Sequence, residues 1–192
     1  MDTINRNRML VTIAAVLILV TPVAAYALGF LDISLASVKT SSDKVDKATM
    51  VTHGFISKDG SKGAFGYGIL TGDSAIVSTT HKGVLDSETQ NGDKFNPVFH
   101  NHYVKLVNDP ICGGGPTVIP DAQHITFDSP GKLTVSGSAL SLNNLPKTSE
   151  GLSQDNNVEG VVSFKLDPKF TGDHLDAVCV TDIKPADRVK IN

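Results

Sequence analysis

Only two cysteines occur in the 192 residues, and no methionine lies beyond Met50. Neither cysteine sits at the end of the N-terminal apolar run, so nothing indicates a lipid-modified cysteine anchor. Lysines and arginines nowhere gather with interleaved aromatics. That argues against nucleic acid as a partner, because such a surface needs a concentrated positive footprint. No G-x-S-x-G elbow is present, which removes local support for a lipase-like serine nucleophile. No sustained helical period follows the N-terminal segment, so the glycines have no strand-to-helix turn in which to cradle a phosphate. Repeats and low-complexity tracts are missing as well.

What is present begins with an address. Arg6 and Arg8 precede the apolar run "MLVTIAAVLILVTPVAAYALGF", with Ala25 and Ala27 in an A-x-A arrangement. A basic start, an apolar middle and small residues at the end match a secretory signal over residues 1–27, cleaved after Ala27. The apolar character continues through Leu28, Phe30 and Leu31, and a run of about 20 residues also suffices to span a bilayer. Retained, residues 9–31 would attach the chain to the membrane, with the arginines holding its start in the cytoplasm. Both readings place the remainder outside the cytoplasmic membrane, secreted or anchored to its outer face. Without Asp2, Arg6 and Arg8, the 17 basic and 20 acidic residues become 15 and 19, a net charge of −4. A modest negative charge favours solubility and says little more.

In an exported chain, two cysteines predict a disulfide between Cys112 and Cys179. Closing a loop of that length contributes about 4 kcal/mol in the chain-entropy picture. "CGGGP" at 112–116 reads as a flexible connection tied down by this bridge.

Residues 32–48 are polar and rich in Ser, Lys and Asp, and the segment 28–48 reads as a linker between membrane and domain with room for a first short strand. From Thr49 to Asn192 the chain turns to short β-branched and aromatic runs separated by Gly, Asp, Asn and Pro. These include "GAFGYGILT", "SAIVSTT", "PVFHNHYVKLV", "QHITFD", "VEGVVSFKL" and "DAVCVTDIK". The spacing predicts an all-β domain, an antiparallel β-sandwich of about eight strands. In "GAFGYGILT", Phe65, Tyr67 and Ile69 fall on the core face, and Gly66 and Gly68 on the other. Such alternate glycines admit a close neighbour or mark a bend.

One run carries a sharper chemical signal. Alternation puts Val98, His100, His102 and Val104 on one face of their strand, so two imidazoles project side by side from an apolar surface. His81, at the end of "AIVSTTH", is the third candidate ligand; His53 and His124 are further candidates. Neutral imidazoles suit zinc or copper. Against this stands the plainer reading of histidines satisfied by carbonyls or hydroxyls in the core. The letters H-N-H do not make the nuclease of that name, whose residues are dispersed through a ββα-metal fold. Nor does the blue-copper pattern hold, since neither His nor Met follows Cys179. "TGDHLDA" groups Asp173, His174 and Asp176 at a turn without the ligand spacing of a calcium loop.

The function these features suggest is an extracytoplasmic binding or surface-interaction module with a histidine metal site. A metal-dependent hydrolase or redox enzyme on the same histidines is the competing reading. A structural subunit of a surface assembly, with segment 32–48 as its donor strand, is the third.

Overall fold

A computed structural model describes residues 29–72, 74–81, 84 and 98–192. The signal or anchor expected over residues 1–27 lies outside the described residues, as does most of the apolar run 9–31. Among the described residues no helix is long and apolar enough to cross a membrane.

The described chain is built from strands and short turns. One sheet has the order β14-β1-β2-β9-β8, formed by Val189–Ile191, Ile33–Thr40, Val45–Thr52, Ala139–Asn143 and Lys132–Ser136. The other has the order β5-β4-β3-β12-β13-β7-β6. Its strands are His100–Lys105, Ser74–Thr80, Phe65–Thr71, Gly160–Thr171, His174–Pro185, Pro116–Val118 and Val107–Asn108. Between β9 and β12 a two-stranded ribbon joins β10 (Thr148–Ser149) to β11 (Leu152–Ser153). All pairings are antiparallel except β1 with β14, which run parallel. The predicted sandwich is therefore the fold.

The two sheets meet face to face over one apolar core. The first contributes Ala36, Val38, Met50, Leu140 and Leu142; the second contributes Phe65, Tyr67, Ile69, Ile76 and Tyr103. Phe65 sits in an aromatic cluster, 4.8 Å from Phe30 and 5.6 Å from Phe99 between ring centroids. Tyr67 donates its hydroxyl proton to the Phe30 carbonyl, which satisfies the one polar atom it carries inside. Burial pushes its phenol pKa upward, so the group stays a neutral donor.

One expectation changes. Residues 29–48 are part of the domain and not a linker: Gly29–Leu31 form a buried 3-10 turn, and Ile33–Thr40 form a strand between β2 and β14. The physical reason lies in one-sided burial. Val38 and Ala36 face the core while Ser37 and Lys39 face away, so half the strand is polar by design of an antiparallel sheet. This segment pairs within its own sheet, where a donor strand would pair with a neighbour. "CGGGP" is tied down by its disulfide as expected, and the chain enters it through a turn. Pro110–Cys112 form a 3-10 turn whose Asp109 carboxylate accepts from Ile111 N–H, and Gly113 closes it at φ 66°. The Cys112–Cys179 disulfide is present and fixes this turn to β13.

The seven-stranded sheet is apolar on both faces. Away from the shared core, Ala75, Val77, Val104, Val162 and Phe164 form a second cluster. The sheet curls about this face and encloses a cavity of about 480 Å³. The Phe164 ring lies over the glycines of β3: a Cβ at Gly66 would come within 2.8 Å of Phe164 Cζ and 2.7 Å of Thr79 Cγ2. Those glycines make room for a side chain.

Candidate metal centre

The ladder between β4 and β5 positions the histidines. His100 pairs with Thr79 and His102 with Val77, so Thr79, Val77, His100 and His102 share the cavity face. Tyr103 and Phe99 take the core side, and Asn101, between the two histidines, is buried and accepts from Ser78 Oγ at 2.7 Å. His81 follows the last residue of β4 and returns to the cavity face two positions after Thr79. Strand alternation and register therefore bring three imidazoles to one end of the ladder.

One ring nitrogen from each of His81, His100 and His102 lies within 4.8 Å of the others. His81 Nε2 and His100 Nε2 are 2.9 Å apart. The His100 ring stands edge-on to both neighbours at 4.6 Å, and His81 and His102 stack at 5.9 Å. His100 and His102 are each 3% exposed, while His81 is half-buried.

Hydrogen bonds assign the tautomers. His100 Nδ1 faces the Val98 carbonyl at 2.9 Å, and His102 Nδ1 faces the Thr126 carbonyl at 2.5 Å. A carbonyl only accepts, so each Nδ1 carries a proton, which leaves Nε2 as the nitrogen of each ring that could ligate a metal. With the His100 proton on Nδ1, His81 Nε2–H donates to His100 Nε2, and a metal ion at this position would take the place of that proton. Backbone carbonyls that hold Nδ1–H and aim Nε2 are the usual outer support of histidine metal ligands. Zn–N distances of about 2.0–2.1 Å in a tetrahedral site separate ligand nitrogens by about 3.4 Å. The observed separations, 2.9 Å for one pair and within 4.8 Å for all, bracket that value, so the three rings could hold one ion.

The Thr126 carbonyl is itself held in place. Thr126 N–H donates to Tyr103 O at 3.0 Å, and Thr126 Oγ1 accepts from Tyr103 N–H at 3.0 Å. "QHITFD" therefore runs beside β5 with a single bridge, Val104 to Ile125, where a full strand was expected. This support is invisible in the sequence, because a backbone carbonyl has no residue-type signature.

The remaining histidines lie outside this trio, although His174, with Asp173, also lines the cavity. His53 pairs with Asp187 at 3.0 Å, His124 with Asp121 at 2.7 Å and His174 with Asp176 at 2.9 Å. The His124 hydrogen bond holds the Asp121 carboxyl below its ordinary pKa. At the β12–β13 turn Asp176 accepts from Thr171 Oγ1 and His174 Nδ1, which lowers its pKa in the same way. Thr79, beside the histidines on the cavity face, is 3% exposed, and its Oγ1 has no hydrogen-bond partner among the described residues.

Comparison with protein-family models, curated proteins and solved structures returns no match to this chain.

Proposed function

We propose that this chain is an extracytoplasmic binding module that holds one transition-metal ion, zinc or copper, through His81, His100 and His102. The observation that carries the reading is the convergence of three imidazoles within 4.8 Å, two of them oriented by backbone carbonyls. Three histidines leave one position of a tetrahedral ion open to water or to a ligand. Residues 1–27 direct the export, as a cleaved signal or a retained anchor. A disulfide is consistent with an oxidising compartment, which supports that placement.

The competing enzymatic reading is favoured by one observation: His81 and His102 line the cavity wall, so a molecule in the cavity would meet the open position. The binding reading needs no further group and is preferred.

The test is the metal content of the tag-free protein, purified after export, loaded with zinc or copper and desalted. We expect about one ion per chain. The His100→Ala/His102→Ala double variant should retain its near-ultraviolet circular dichroism and lose the ion. Equal metal in both proteins, or none in either after loading, assigns the imidazoles to packing.

A further inference from the structure

We infer that the cavity beside the histidines binds a long-chain monocarboxylate, its carboxylate on the metal and its chain along the curled sheet. The inference rests on the metal reading above.

The cavity volume of about 480 Å³ falls within the roughly 300–1,000 Å³ usual for ligand pockets. Its walls divide by chemistry. Leu70, Val77, Val104, Phe164 and Leu166 make an apolar body, whereas Thr79, His81 and His102 gather at one end of the β4–β5 ladder; Asp173 and His174 of the β12–β13 turn are the other polar side chains on the lining. A ligand matched to the body and to the histidine end is apolar along its length and polar at a tip.

Charge selects the tip. Three neutral imidazoles leave a divalent ion with its full double charge against an apolar wall, where an uncompensated charge is costly. An anionic oxygen ligand in the open position offsets that charge. A carboxylate brings a second oxygen, which can accept from the buried Thr79 hydroxyl, a donor without a hydrogen-bond partner among the described residues. Thr79 is placed for this role as the cross-strand partner of His100 and the residue two before His81.

The body of the ligand follows from the same accounting. A peptide segment along the apolar body of the cavity would carry backbone N–H and C=O groups onto Leu, Val and Phe side chains that cannot bond them. A polymethylene chain brings no such groups, and each methylene it buries tightens binding by up to about fourfold.

The experiment uses the zinc- and cobalt-loaded full chain, purified after export, titrated with dodecanoate, octanoate, acetate and dodecanol. We expect 1:1 calorimetric binding of dodecanoate, at least about tenfold tighter than octanoate, and none of acetate. Dodecanoate should shift the visible cobalt bands, and dodecanol should leave them unchanged. Leu166→Trp and, as a second cavity-filling change at a half-buried position, Val180→Trp should bind metal normally and lose dodecanoate. Thr79→Val should weaken dodecanoate and leave metal content at one per chain. Metal binding with no dodecanoate binding, or equal binding by both tryptophan variants, overturns this inference and leaves the metal reading standing. Dodecanoate binding that is indifferent to metal overturns the head-group assignment. A chain that takes up no metal overturns both. Sedimentation as a dimer that Leu166→Trp dissociates would assign the face to a second copy and overturn the inference.

Discussion

At the scale of the residue, the sequence was most informative where strand alternation alone fixes direction. His100 and His102 were placed on one face by counting, and they share the cavity face beside Val77 and Thr79. His81 could be named only as a candidate, because its meeting with His100 depends on β4 pairing β5 in one particular register. The glycines of β3 show the same limit. Their alternation announced a close approach, and the neighbour proved to be the Phe164 ring. Gly66→Ala puts a Cβ within 2.8 Å of Phe164 Cζ and of the Ser78 carbonyl oxygen, and the latter cannot yield cheaply. We expect a loss of about 1–3 kcal/mol in urea unfolding. Gly160→Ala, where a Cβ meets nothing within 4 Å, should be neutral or slightly stabilising. Equal effects at the two sites would contradict the packing described for β3.

At the scale of the element, strands buried on both faces were easy to see and β1, buried on one, was not. β3, β4 and β5 are nearly continuous in burial and announced themselves as apolar runs. β1 exposes Lys39 and half-exposes Ser34 and Ser37, and its polar face made it read as a linker. The distinction has a consequence in stability. Val38 is fully buried in the shared core, so Val38→Asp should cost about 3 kcal/mol or more by burying an unpaired carboxylate. A linker would tolerate the change without a shift in the urea midpoint. The outer support of the histidines belongs to this scale too. Thr126 reaches His102 through its carbonyl across 24 residues of sequence, a contact that no residue pattern encodes.

At the scale of the whole molecule, the disulfide spans 67 residues and joins the turn after β6 to the middle of β13. Cys179 also pairs with Thr117 of β7, so the bridge reinforces the far edge of the seven-stranded sheet. The Cys112→Ala/Cys179→Ala variant should lose about 2–5 kcal/mol against the oxidised protein in urea unfolding. An unchanged midpoint would mean that this edge adds nothing to the cooperative unit. Charge acts on the same scale. The carboxyls of Asp121, Asp176 and Asp182 are all held below their ordinary pKa, by His124, by Thr171 with His174, and by Lys165 respectively. A depressed folded pKa contributes stability that is present above the unfolded value, about 3.9, and lost as pH falls through the folded one. These three groups should therefore leave the urea midpoint level from neutral pH down to about pH 5, and lower it below about pH 4. Replacing all three with Asn should make that acid limb shallower, with Asp59, held low by Ser57 and Ser61, supplying part of what remains; an unchanged limb would place its origin elsewhere.

The central claim is that one metal ion sits among His81, His100 and His102. Anomalous diffraction at the zinc absorption edge, from crystals of the metal-loaded protein, tests it most directly. The account predicts a single strong peak about 2.0–2.1 Å from a ring nitrogen of each of the three. A peak at the exposed His124–Asp121 or His174–Asp176 pairs, with none between the three rings, would contradict it.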